Sequence, residues 1–597
     1  MDNGKYQPTR WTLSELLSSH GGPELEAYLA QFEQQVKDFE EIRPQLRPDI
    51  NPAEFVEIVQ GYETLEAAGR RVGAYAQLWF TEDTQSQAAL AFLGRIDQLS
   101  AEVANRMLFF SLWWKSLDDE TANRLMAASG DYRYWLESLR RFKPHTLSES
   151  EEKIVNLKDV NGMNALLTLY DVITNAFTFE LEIDGRKKKM TRAELSAYVR
   201  HPNPDVRAAV YQEMLGRVFK EHANTLGQIY MYRVRDWFSE NIQLRKHASP
   251  LAVRNLSNDI PDAATDALLE VCRRNTDLFQ RYFRLKARWL DIPSGKLRRY
   301  DVYAPIVASD KAYPYSDAVG MVLDSLHHFS SQISEHARRV FADHHIDSEI
   351  RPGKQGGAFC ASILPGLTPY VLLNYTGRAR DVATMAHELG HAIHAMMAAH
   401  HSTLTFHSSL PLAETASVFS EMILNDRLLA TETDPAVRRD ILATQIDDAY
   451  ATVMRQAYFV LFEREAHERI LKGATTDELA EAYLANLREQ FGDSLELADE
   501  FRWEWVSIPH IYQTPFYCYA YSFGQLLVLS LYRRYKAEGE SFKPKYLKIL
   551  AYGGSESPAK ILREAGIDMA SPDFWQGGFD VIKEMIDELE KMEAVKA

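Results

Sequence analysis

The sequence predicts a mainly α-helical fold, and three observations carry that expectation. Apolar residues recur at three- and four-residue spacing through most of the 597 positions. Helix-start signals recur with them, such as Asn51-Pro52 and the capping box Thr191-Arg-Ala-Glu194. Alternation with a period of two is confined to short stretches, at Phe177 to Ile183 and in two runs ahead of residue 375.

Pro23 to Leu46 reads as an acidic amphipathic helix that Pro44 and Pro48 bring to an end. Asn51-Pro52 opens the next, carried by Phe55, Ile58, Tyr62 and Leu65. Gln85 to Leu117 continues the pattern, and Tyr132 to Phe142 stops at Lys143-Pro144. Thr146-Leu-Ser-Glu-Ser-Glu-Glu152 supplies a hydroxyl N-cap with an acidic first turn. Phe177, Phe179, Leu181 and Ile183 then alternate up to Asp184-Gly185, a strong hairpin turn signal. This hairpin suggests a division into an N-terminal helical region, 1–190, and a region 191–597 that holds the metal-site motif. No Pro-, Gly- or Ser-rich linker marks the division, so the parts are expected to pack closely. Long helices resume from Asp205 to Leu290 and from Ser316 to Asp343. Two β-rich runs follow, Pro352 to Ile363 and Pro369 to Asn374, separated by Pro365-Gly366. Asp381 to Ala399, Pro411 to Asn425, Pro435 to Leu471 and Phe579 to Met592 complete the helices.

The formal charge is −17, and the longest basic run is Arg186-Lys-Lys-Lys189 in the hairpin. A nucleic-acid partner is therefore not expected. Three cysteines, Cys272, Cys360 and Cys518, suggest neither a disulfide framework nor a cysteine metal site. The opening Met1 to Pro8 has no apolar leader segment, and no apolar run approaches the ~20 residues that a membrane span needs. The expected setting is a reducing cytoplasm, with no membrane partner.

The most informative stretch is His387-Glu388-Leu389-Gly390-His391. Two histidines four apart on a helix lie about 40° apart around it and about 6 Å along it, so both imidazoles can reach one ion. Zn²⁺ accepts neutral imidazole nitrogen, and a catalytic site uses three protein ligands and a water. Glu388 stands where a general base must stand, near that water but off the metal. Val382, Met385, Leu389, Ile393 and Met396 make the helix apolar on several sides, and coordination offsets the cost of burying two His and a Glu there. His394 falls on the face of His387 but about 10.5 Å along the axis, too far to share the ion.

A third ligand must come from elsewhere. The candidates are Glu414, Glu421, His407 and the pair His400-His401. Glu414 is preferred because a carboxylate on a second helix is the common solution and its neighbours Ala413 and Ala416 permit close approach. Glu421, seven residues further along the same face, suits a role orienting a ligand histidine. His400-His401 fits a helix C-terminus. A second cluster is Ile508-Pro-His-Ile-Tyr-Gln-Thr-Pro-Phe-Tyr-Cys-Tyr-Ala-Tyr-Ser-Phe-Gly524. Hydrolysis at a metal builds charge on an oxyanion, and His510 with Tyr512, Tyr517, Tyr519 or Tyr521 could donate to it. Pro515 disturbs the helical register, so spacing alone does not choose among the tyrosines.

His387-Glu-Leu-Gly-His391, Ala413-Glu-Thr-Ala-Ser417, Pro509-His-Ile-Tyr512 and Tyr517-Cys-Tyr-Ala-Tyr521 together resemble the oligoendopeptidase F branch of the thimet-oligopeptidase-like zinc peptidases. Gly357-Ala-Phe-Cys360 is similar to that family's strand ahead of the zinc helix, and Tyr134 to Glu152 to its N-terminal region. The resemblance implies a large two-lobed helical metallopeptidase fold, with a deep central channel and a small β-sheet beside the motif helix. It implies one zinc per chain on His387, His391 and Glu414, with Glu388 as base and then proton shuttle, and His510 with a tyrosine binding the oxyanion. Tyr519 is placed first for that role and Tyr512 next, with Tyr517 and Tyr521 behind. Ala358, Phe359 and Cys360 would hold a short, unstructured peptide extended across the site. The thimet branch has a glycine-rich loop between its His and Tyr residues; Ile511 to Phe516 has no glycine. Two rival readings differ in kind: a helical zinc carboxypeptidase, which would ignore a blocked C-terminus, and a peptide-binding protein with an inactive site. The chain is read as a monomer, with oligomers left open.

Overall fold

The computed structural model describes residues 6–183, 185–306 and 311–594. The first five residues of the stretch read for a leader, and the Asp184 half of the hairpin turn, lie outside them. Helices dominate, and the sheets are small. Among the described residues no helix is long and apolar enough to cross a membrane.

The chain gathers into two compact units, each built from three separated stretches. The first comprises Met1–Lys143, Asp310–Thr431 and Arg534–Ile567; the second comprises Pro144–Ser309, Glu432–Arg533 and Asp568–Ala597. This grouping does not follow a cut at residue 190. The hairpin Phe179–Ile183 and Arg186–Met190 lies within the second unit, and its buried Phe179, Leu181 and Ile183 face inward there. A change of periodicity marks a change of local structure; it does not mark where long-range packing divides.

In the first unit, Asn51 Oδ1 accepts from Ala53 N and starts the helix Pro52–Glu82. Ser86 caps the helix Gln87–Ser116. Phe55 stacks on Trp114 between them, ring centroids 5.2 Å apart. A second apolar cluster joins Trp11, Tyr75 and Phe92 to Tyr370 and Leu372. Those last two residues lie in the central strand of a three-stranded sheet: Tyr370–Leu372 pairs in parallel with Ile346–Asp347 and antiparallel with Phe359–Ala361. The β-rich runs thus yield short strands, and Phe359–Ala361 is an edge.

The stretch 411–425, expected as one helix, is broken. A short helix Leu410–Ala413 gives way to a turn at residues 414–416, and a second helix runs Ser417–Thr431. In the second unit, Pro435–Ala449, a π-helical segment Tyr450–Met454 and Arg455–Leu471 follow directly on one another. The last helix spans Pro572–Ala594, longer than the periodicity suggests.

Candidate metal centre

The motif lies on the helix Ala379–Met397. Its start is fixed by Asp381, whose Oδ2 accepts from the backbone N–H groups of Thr376 at 2.8 Å and Arg378 at 3.1 Å. Val382, Met385, Leu389 and Ile393 bury one face. Gly390 decides what can approach the other. A Cβ there would lie 2.5 Å from Ser417 Cα and 2.6 Å from Ala416 O. The absent side chain lets the 414–417 segment press against the helix.

That contact brings Glu414 to the histidines. Glu414 Oε2 is 3.4 Å from His387 Nε2 and 3.5 Å from His391 Nε2. One ligand atom from each of the three lies within 4.8 Å of the others. Ser417 Oγ donates to Glu414 Oε2 at 2.6 Å and holds the carboxylate in place. Glu421 Oε1 is 2.5 Å from His387 Nδ1, so it accepts that ring's outer N–H and turns Nε2 inward. Two imidazole nitrogens and a carboxylate oxygen converging on one point, with the outer nitrogen of His387 held by Glu421, fit a divalent ion of the zinc type.

Burial and the clustered carboxylates shift the titratable groups of the site. Burial alone would lower His387, but its hydrogen bond to Glu421 and the nearby Glu414 and Glu388 raise it to about 9. Burial pushes Glu388 up to about 7, with His387 pulling it down and Glu414 and Glu421 pushing it up. His391 is lowered chiefly by burial and raised by the nearby Glu414 and the backbone of Ala413.

A cleft of about 570 Å³ opens over these groups, lined by His387, Glu388 and His391 and by Ala358, Phe359 and Cys360. The edge strand therefore runs along the cleft. Asn374 Nδ2 donates to Gln355 O at 3.0 Å and Gly357 O at 2.8 Å, which steadies the chain entering that strand. Burial and the charge of Glu388 push the Cys360 thiol up, so it stays a neutral wall of the cleft.

The other histidines lie elsewhere. His394 is buried, and burial lowers it to about 4. His401 does not cap the motif helix: its Nδ1 is 2.7 Å from Asp131 Oδ1 and its Nε2 3.0 Å from Ala551 O. His407 lines the cleft without joining the ligand group.

In the second unit, His510 lies on the short helix Pro509–Gln513. Tyr512 is buried, stacked on Tyr170 at 4.0 Å, its hydroxyl 3.4 Å from Leu226 O. Tyr519 is buried too, and its hydroxyl accepts from Asn258 Nδ2 at 2.8 Å. Both hydroxyls are thus committed to the interior. Tyr521 differs: half-buried, it holds its hydroxyl 3.3 Å from His510 Nε2. Tyr517, also half-buried, lies parallel to the His510 ring with centroids 6.0 Å apart. Sequence reasoning did not single out Gly390 or Ser417, and it ranked Tyr521 behind Tyr519 and Tyr512. The small residues of Ala413-Glu-Thr-Ala-Ser417 were the available signal for the first two.

A His-Glu-x-x-His helix completed by a carboxylate from the following segment, in a helical fold, is the arrangement of a metallopeptidase. Comparison with known proteins places the chain within that class. Residues 197–581 match the model of peptidase family M3, and residues 113–179 match that of oligopeptidase F. The chain belongs to peptidase family M3 and is an oligopeptidase. It is 27% identical to an oligoendopeptidase F homologue of Borreliella burgdorferi, over 98% of both chains. It is 25% identical to oligopeptidase PepF of Bacillus subtilis, over 89% of this chain and 79% of the relative. Its fold is shared with oligoendopeptidase F of Enterococcus faecium, at a TM-score of 0.72 and 22% identity over 95% of this chain and 98% of the other.

Proposed function

We propose that the chain is a zinc-dependent endopeptidase that cleaves short, unstructured oligopeptides. The observation that carries this reading is the convergence of His387 Nε2, His391 Nε2 and Glu414 Oε2 beside the buried Glu388. All three ligands come from one chain, so a monomer suffices for the metal. Zinc held there supplies Lewis acidity, which polarises the peptide carbonyl and acidifies water.

The protein's own groups do the rest. Glu388 takes the proton of the attacking water and returns it to the leaving amine; its buried place in the cleft beside the ligand histidines suits both tasks. The Phe359–Ala361 edge offers backbone N–H and C=O groups to an extended peptide, with Ala358, Phe359 and Cys360 along the cleft. His510 and Tyr521 are assigned to the oxyanion, in place of Tyr519 and Tyr512, because the hydroxyls of the latter two are engaged in the interior. Free thiols at Cys272, Cys360 and Cys518 suit a reducing cytoplasm.

The test is a quenched fluorogenic peptide of about ten residues, blocked at both ends and read by mass spectrometry. Internal cleavage that stops on chelation and returns with zinc is expected. A strict need for a free C-terminus would make the protein a carboxypeptidase, and absence of cleavage with zinc bound would make it a binding protein.

A further inference from the structure

Between His510 and Tyr521 the backbone turns without a glycine. Phe516 stands at φ 59°, in the left-handed region that bulky side chains avoid. Three side chains of the second unit grip this turn. Arg233 Nε donates to Tyr512 O at 3.0 Å, Arg254 Nε donates to Pro515 O at 3.4 Å, and Glu463 Oε1 accepts from Phe516 N at 2.9 Å.

Glu463 is fully buried on the helix Arg455–Leu471. One turn along that helix, His467 packs its ring 4.8 Å from the ring of Phe516. The next residue in the chain is Tyr517, parallel to His510, and one helical turn on comes Tyr521, against His510 Nε2. A relaxed Phe516 would rotate both tyrosines relative to the histidine.

We propose that Glu463 is a positioning residue: its carboxyl group holds the Phe516 N–H and so fixes the left-handed turn that sets Tyr517 and Tyr521 against His510. The inference rests on the assignment of His510 and Tyr521 to the oxyanion. Without that acceptor the Phe516 N–H is left unpaired in the interior, and the turn loses its reason to keep an unfavoured φ. Burial also pushes Glu463 up to about 8, so near neutrality a glutamine offers the same oxygen in the same shape.

The experiment is steady-state kinetics of full-length, zinc-loaded protein on the blocked fluorogenic peptide, with melting temperatures alongside. Glu463→Leu should lower kcat by about tenfold or more with KM within about twofold, as misplacement of a transition-state donor requires. Glu463→Gln should recover kcat to within about threefold of the parent. Glu463→Leu combined with Tyr521→Phe should fall no further than Tyr521→Phe alone, because both act through one group. Should Glu463→Leu not fold, Arg254→Met, which frees Pro515 O, should lower kcat in the same direction. Parental kcat in Glu463→Leu or, failing that variant, in Arg254→Met, beside a Tyr521→Phe that has lost it, overturns the inference. So does a Glu463→Gln that falls as far as the leucine variant. Parental kcat in Tyr521→Phe removes the oxyanion assignment itself, and the inference with it.

Discussion

Gly390 and Ser417 are in contact where no side chain could stand: a Cβ on Gly390 would lie 2.5 Å from the Ser417 Cα. This one approach sets the distance between the motif helix and the segment that carries Glu414. Gly390→Ala should therefore separate them. The contact is to backbone, which cannot rotate aside, so the cost is of the order of 1–3 kcal/mol in stability. Bound metal should fall with it, read by atomic emission after dialysis. Full zinc occupancy and an unchanged melting temperature would contradict the geometry.

Glu388 lines the cleft, stands outside the His387–His391–Glu414 group and is pushed up to about 7 by burial. Glu388→Gln keeps its size and removes its basicity. Zinc content should stay at the parental level while kcat falls by at least 10²–10⁴-fold, the usual worth of a positioned acid–base group. An active glutamine variant with metal in place would remove Glu388 from the proton path.

Glu421 holds His387 Nδ1 at 2.5 Å. The raised His387 pKa of about 9 means the metal-free ring carries an extra proton near neutrality. The sign follows directly. A group raised in the folded state adds stability that is complete below its unfolded pKa of about 6.5 and fades as pH climbs through about 9. Chelator-treated protein should lose melting temperature across that window, and zinc uptake at pH 7–8 should release a proton, seen by calorimetry in buffers of different ionisation enthalpy. Glu421→Ala should flatten the pH trend and weaken zinc about 10–100-fold.

Tyr519 and Tyr521 lie two residues apart yet should behave in opposite ways. Tyr519→Phe leaves the buried Asn258 amide without its acceptor, so it should cost about 1–3 kcal/mol of stability and little kcat. Tyr521→Phe should spare stability and lower kcat by about 10²-fold, as loss of an oxyanion donor does. The reverse pattern would restore the order read from the sequence.

These cases show what was legible. The histidine pair is a matter of spacing on one regular helix, so their convergence could be read directly, and Glu414 and Glu421 followed from a nearby carboxylate pattern. The break at residues 414–416 could not be read, because no Pro or Gly marks it; it accompanies the approach of Ser417 to Gly390, a contact 27 positions apart. The tyrosine ranking rested on the family resemblance, because spacing through Pro515 could not choose, and the left-handed Phe516 at φ 59° is a turn that no residue type announces. The division at residue 190 relied on local periodicity, whereas each compact unit draws on three distant stretches.

The most direct test of the account is anomalous diffraction at the zinc edge from crystals grown with zinc. One peak is expected about 2.0–2.2 Å from His387 Nε2, His391 Nε2 and a Glu414 oxygen, absent in His387→Ala. A zinc peak at other residues, or Glu414 turned away from it, would contradict the account.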